Sequence, residues 1–187
     1  MHDLLCMKTK SIPFRFTLIL PALLAFCALA FNSPSRAADE SKLTKKDKTF
    51  ITNASEAGNA EVEKAKLAVK SSTNDEVKAF ADMMIKDHTK AGDELATIVE
   101  GKAGKVSKGP GAVQDAKILE LKALTGETFN KAYAKQALAD HKEAVSLFEK
   151  ASTDLDDADL KAFALKTLPT LRHHLEEAEK LEARFSK

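Results

Sequence analysis

Residues 74–102 read NDEVKAFADMMIKDHTKAGDELATIVEGK, and within them Val77, Ala81, Met84, His88, Ala91, Leu95 and Ile98 recur at steps of three and four. That spacing puts these side chains on one stripe of an α-helix and most of the Lys, Asp and Glu on the other face, the pattern of a helix packed on one side in a bundle. Thr73 or Asn74 stands where an N-cap belongs, with Asp75 and Glu76 following. The stripe is apolar except at His88.

The same rhythm spreads outward from this helix. Over 44–71 the stripe is Ile51, Ala54, Gly58, Glu61, Ala65 and Ala68, with Thr44 and Asp47 placed as a capping box. Only Ser72 and Thr73 separate the two helices, which makes them antiparallel neighbours. Residues 101–111 hold Gly101, Gly104, Gly109, Pro110 and Gly111, the obvious loop. A shorter helix over 112–124 carries Val113, Ile118, Leu119 and Leu121 and, at ~1.5 Å per residue, spans about 20 Å along the bundle. A helix over 127–153 then presents Ala134, Ala137, His141, Ala144, Phe148 and Ala151. After an acidic turn with Asp154, Asp156 and Asp157, a last helix over 156–184 presents Leu160, Ala164, Thr167, Leu171, His174, Ala178 and Leu181.

A short first link, a long middle connection and a short last link predict an all-α, ferritin-like four-helix bundle, with a short crossover helix between the second and third long helices. Counted from the helix ends at ~1.5 Å per residue, Glu61, His88, His141 and His174 fall within about one and a half turns of one another. Each of the four long stripes is therefore interrupted by one ionisable residue at a common depth. Pro169 is expected to kink the last helix near Leu165, one turn before His174. Gly58, one turn before Glu61, is expected to let a neighbouring backbone approach.

Ahead of the helices comes an address. Lys8, Lys10 and Arg15 precede a run rich in Phe, Leu, Ile and Ala from Phe16 to Phe31, then Asn32-Ser33-Pro34-Ser35-Arg36-Ala37. This is the order of a secretory signal peptide over 1–37, cleaved near Ala37, with Met1 or Met7 as initiator and a periplasmic or otherwise exported product over 38–187. The rival reading is a membrane anchor, but the apolar run contains Pro21 and falls short of the ~20 residues that span a bilayer. Phe26 before Cys27 argues against a lipid anchor there. Both cysteines, Cys6 and Cys27, lie in the leader, so neither a disulfide nor a thiolate nucleophile serves the mature domain.

Loss of Lys8, Lys10, Arg15, Arg36 and Asp3 takes the formal charge from +1 to −2. Without a concentrated basic face, nucleic acid is not an expected partner, and no stable membrane span is expected after processing. A homo-oligomer or an envelope partner stays open. A mature chain of this length can bury roughly two thirds of its unfolded surface, enough for one domain.

The core residues carry the functional expectation. Three imidazoles and a carboxylate suit one transition metal ion (Zn, Cu or Fe) bound by Glu61, His88, His141 and His174. The alternative is a polar packing network that fixes helix register in a non-catalytic structural or interaction protein; a third is a pH-responsive cluster. Asp87 and Asp140, each just before a histidine, point about 100° away from it and are not expected in the site. His173 belongs to the outer face. Di-iron bundles carry Glu-x-x-His, but Ile85, Leu138, Thr170 and Leu171 precede His88, His141, His173 and His174 by three, so ferroxidase chemistry is not implied. Phosphate loops, serine elbows and His-Glu-x-x-His helices are absent too, which favours a binding or stress-related accessory role over an enzyme.

Several stretches also resemble a known family. They include Phe50-Ile51-Thr52-Asn53-Ala54, Gly58, Glu61-Val62, Val77-Lys78-Ala79-Phe80-Ala81 and Lys86-Asp87-His88-Thr89-Lys90-Ala91. Leu124-Thr125-Gly126, Phe129, Ala132-Tyr133, Asp140-His141, Ala144-Val145-Ser146-Leu147-Phe148 and Thr167-Leu168-Pro169-Thr170-Leu171 with His174-Leu175 continue them. Together they are similar to the bacterial exported family called domain of unknown function 4142. The resemblance implies a ferritin-like bundle in the bacterial envelope and, as that name says, no settled activity.

Overall fold

The computed structural model describes residues 43–186; the leader read over 1–37, its cleavage site, Cys6 and Cys27 lie outside the described residues. The described elements are all helical: α1 Lys45–Ser71, α2 Asp75–Val99, α3 Ala112–Lys122, α4 Gly126–Asp154 and α5 Ala158–Phe185.

Caps decide where three of these helices begin. Asp47 accepts from Thr44 N at 2.9 Å and Thr44 Oγ1 accepts from Asp47 N at 3.3 Å, the expected capping box. The other Asp47 oxygen accepts from the backbone of Asp156 and Asp157 at 3.0 and 3.2 Å. One buried carboxylate thus ties the start of α1 to the turn into α5. Asn74 caps α2, and Asp157 caps α5 through the backbone of Asp159 and Leu160. α2 stops at Val99 rather than near Lys102, because Gly101 adopts φ +79°, a left-handed turn that glycine enters freely. Gly104 follows where a Cβ would run into Leu43, Val99 and Ile51. α5 continues through Pro169 from Ala158 to Phe185.

α1 packs on α2 and α4, α5 packs on the same two helices, and α3 lies against α1 and α4. Two apolar cores fill the bundle. One gathers Phe50, Ile51, Leu95, Phe148, Leu160, Phe163 and Leu171; the other gathers Ala65, Val77, Phe80, Met84, Phe129, Tyr133, Ala178 and Leu181. α1 and α5 run from the first core to the second, α2 and α4 from the second to the first. Neighbours around the bundle are therefore antiparallel, and α3 returns the chain between α2 and α4, the ferritin-like connection. Each fully buried Leu or Phe contributes about 1.5–3 kcal/mol, so the two cores dominate the stability.

Between the cores each long helix carries one polar interruption: Glu61 on α1, His88 on α2, His141 on α4 and His174 on α5. The crossover helix departs from expectation. Val113 and Leu119 are 73% and 69% exposed, and only Ile118 and Leu121 turn inward. α3 covers the bundle with one face, which residues three apart share, while Leu119 lies about 100° round the helix from Ile118. Among the described residues no helix is long and apolar enough to cross a membrane.

Candidate metal centre

His88, His141 and His174 come together from three helices. Their ring centroids stand 5.6 Å (His88 to His141), 5.3 Å (His88 to His174) and 5.4 Å (His141 to His174) apart, a nearly equilateral triangle. One ring nitrogen from each lies within 4.8 Å of those of the other two. None of the three rings turns to solvent: His141 and His174 are each 1% exposed, and His88 is half-buried with its Nε2 enclosed. His173 is exposed, as expected of the outer face.

Two of the rings are fixed from behind. His141 Nδ1 stands 2.8 Å from the Ala137 carbonyl, which can only accept, so Nδ1 carries the proton and neutral His141 keeps its lone pair on Nε2. His174 Nε2 stands 3.0 Å from Asp87 Oδ2, so Nε2–H donates to the carboxylate and the lone pair is on Nδ1. The nitrogens left over, Nε2 of His141 and Nδ1 of His174, are buried without a hydrogen-bond partner, and so is Nε2 of His88. A carboxylate or backbone carbonyl holding the rear nitrogen of an imidazole is the usual outer support of a metal-binding histidine.

Glu61 has a different neighbourhood from the one its stripe position suggests. Buried Lys64, one turn further along α1, donates to Glu61 Oε1 and to Asp140 Oδ2, and Lys117 of α3 donates to the other Asp140 oxygen. The three histidines form the close group of ligating atoms, and Glu61 is not a member of it. Its other oxygen, Oε2, is buried and without a partner. Asp140 does point away from its neighbour His141, as the helical angle requires. Asp87, not expected in the site, belongs to its support instead, since it accepts from His174 across the bundle.

Electrostatics separate the two groups. Burial would raise the Glu61 carboxyl, but Lys64 and His141 outweigh it and hold the group below its ordinary range. Burial would lower the Lys64 ammonium, but Glu61 and Asp140 raise it instead. The histidines move the other way. Burial, then the repulsion that a positive charge on His88 would meet from the neighbouring His141 and His174, pushes His88 well below its ordinary value. Burial lowers His174 too, against the opposing hydrogen bond to Asp87. Glu61 and Lys64 are thus ionised, and the His88 and His174 rings are neutral.

A cleft of about 900 Å³ reaches this layer, with Glu61, His88 and His141 in its wall. Gly58 lies on the same wall, and a Cβ there would meet nothing within 4 Å. Its expected role in close backbone approach is therefore not observed, because the residue faces the opening rather than a neighbouring helix.

The profile of the family described as Domain of unknown function (DUF4142) matches residues 32–181. The chain belongs to the DUF4142 family. The crystal structure of a DUF305 fragment from Deinococcus radiodurans superposes on this DUF4142 chain with a TM-score of 0.67 at 12% identity, covering 76% of this chain and 99% of that one. At that identity the likeness is one of fold. Comparison with curated proteins gives no match.

Reading by stripe found the three rings of this DUF4142 domain and missed Lys64, Lys117 and Asp87. The cost of burying a charged Glu61 is the signal that asks for a cationic partner. Lys64, three residues on and hence on the same side of α1, is the nearest candidate. Asp87 gave no such signal, since its partner lies on another helix.

Proposed function

We propose that this DUF4142 domain is exported and binds one transition metal ion in its core, held by Nε2 of His88, Nε2 of His141 and Nδ1 of His174. The observation that carries the reading is three buried nitrogens, one on each clustered ring, without hydrogen-bond partners. A buried polar atom left unsatisfied costs about 1–3 kcal/mol, and native proteins rarely leave three together. Neutral imidazoles suit Zn, Cu or Fe. Nitrogens ~2.0–2.1 Å from one ion at tetrahedral angles stand roughly 3.3 Å apart, and one nitrogen from each ring already lies within 4.8 Å of the others, so the rings would have to draw together to close on an ion. Three protein ligands would leave a fourth position for a non-protein ligand, and Glu61 stays outside the group. The role is capture or carriage of a metal ion, accessory to other activities of the envelope.

The second reading keeps the rings as a packing network bridged by water, which would also fill the free nitrogens. Elemental analysis of the protein purified without a histidine tag, beside His88→Ala and His141→Ala, separates the two. Near-stoichiometric Zn, Cu or Fe that disappears in both variants is expected. Addition of that ion at 100 times its Kd should raise the stability of the metal-free protein by about 2.7 kcal/mol. No metal and no thermal response to added ions would leave the packing network as the answer.

A further inference from the structure

The crossover helix α3 is apolar on two sides. Ile118 and Leu121 face the bundle, and Lys117 beside them donates to Asp140. Leu119 lies on the other side, about 100° and about 160° round the helix from those two. Ala112, Ala116 and, at the C-cap, Ala123 fall within about 60° of Leu119, and all four residues are exposed. Val113 and Leu119, at 73% and 69%, are the most exposed large apolar side chains among the described residues. A helix that is apolar on two sides is suited to packing on both, and the bundle covers one.

The charges that edge the outer face indicate what fits it. Asp115 and Lys122 are both exposed and share one border, about 40° and about 60° from Leu119 on the side away from the alanines. A two-fold axis that lays two copies of α3 antiparallel brings each border against itself in reverse order. Asp115 of each copy then meets Lys122 of the other, about a midpoint between residues 118 and 119. The apolar face has nearly the same midpoint: Ala116 meets Leu119, and Ala112 meets Ala123, about a point between residues 117 and 118, ~1.5 Å away. On the opposite border Glu120 already accepts from Gln136 Nε2 at 3.0 Å. A face that complements itself under a two-fold is what an isologous contact requires. A lipid surface would select a basic border, whereas α3 sets Asp115 and Glu120 against Lys117 and Lys122, a net charge of zero.

We propose that the outer face of α3 is a self-association site, where a second copy of this chain packs antiparallel across Leu119 and exchanges Asp115–Lys122 ion pairs. The pairing does not depend on a bound metal. It is centred on one eleven-residue helix, about 16 Å long, and so belongs among small, reversible interfaces, with a Kd on the order of 100 μM.

Sedimentation velocity of the protein from about 5 μM to about 1 mM tests this, with a chelator present so that no ion bridges two copies. Wild type should pass from monomer to dimer across that range. Leu119→Glu should raise the Kd by about tenfold or more, and should keep the wild-type melting temperature at low concentration because the side chain is exposed in the monomer. Asp115→Lys and Lys122→Asp should each weaken the dimer about tenfold, since two attractive contacts become repulsive. Asp115→Lys combined with Lys122→Asp should return the wild-type Kd, because the border complements itself again. A wild type that stays monomeric at the highest concentration, or a dimer that Leu119→Glu leaves intact, overturns the proposal. Single reversals that weaken the dimer without recovery in the double variant overturn the antiparallel pairing.

Discussion

The two halves of the polar layer are made of similar material and finished differently. On the side of α1, α3 and α4, two carboxylates meet two lysines, their charges cancel, and one oxygen of the four is left free. On the side of α2, α4 and α5, three imidazoles face one another with three nitrogens unused. The Asp-His pairs Asp87-His88 and Asp140-His141 serve both halves: Asp140 joins the lysines, and Asp87 backs a histidine from across the bundle. A buried network that uses up its donors and acceptors serves the fold. One that leaves lone pairs converging on a common point is incomplete without a ligand.

The sharpest way to break that contrast is to cut one member from each half. Lys64→Met leaves Glu61 buried without its cation and Asp140 with Lys117 alone, a loss of about 3–5 kcal/mol, as for other broken buried pairs. At ~2–4 °C per kcal/mol for a chain of this size, the melting temperature should drop by roughly 6–20 °C. His141→Phe fills the same space with a neutral ring and removes no ionic partner, so in the metal-free protein it should cost less than about 2 kcal/mol. Thermal unfolding of the two metal-free variants decides the matter. A larger loss for His141→Phe would mean that the histidines, not the lysines, hold the layer together.

How much of this was legible follows from the range of each interaction. Helix order, caps at Thr44 and Asn74 and the depth of His88, His141 and His174 are local or periodic features, and those readings agree with the structure. Val113 and Leu119 misled because a cover helix buries one face only, which periodicity in an eleven-residue segment does not resolve. Glu61 was placed on the right stripe, but its neighbour across α1 and α4 depended on where the flexible Lys64 chain would reach. Asp87 is the clearest limit: it was not expected in the site, and its bond to His174 depends on the rotation of α5.

A milder change sharpens the comparison from the histidine side. Asp87→Asn keeps the size of the side chain and removes the charge behind His174. Zinc affinity should fall 10–100-fold, about 1.4–2.7 kcal/mol, the usual effect of losing such an outer partner. Asp140→Asn, on the other Asp-His pair, should instead lower the melting temperature of the metal-free protein, since its partners are lysines. Competition titrations with a zinc indicator, read beside thermal unfolding, should give opposite rankings for the two variants. Equal effects on zinc would show that the halves act as one site.

The gentlest perturbation adds protons and leaves every side chain in place. His88 is held well below its ordinary 6.5 and His174 below the same value, so the folded protein keeps these rings neutral where the unfolded chain takes up protons. Their contribution to stability is therefore complete above 6.5 and is lost as pH falls below it toward the folded values. Glu61 is held below 4.5 and Asp47 below 3.8, so their contributions are present above those values and fade only in more acid solution. The interval between 6.5 and 4.5 thus belongs to the imidazoles. The melting temperature of the metal-free protein should decline from about pH 6.5 to about pH 5, and the decline should flatten in His88→Phe and persist in Lys64→Met. A wild-type melting temperature that stays level across that interval would mean that His88 and His174 accept protons as readily folded as unfolded, and neutral rings waiting for an ion would no longer describe them.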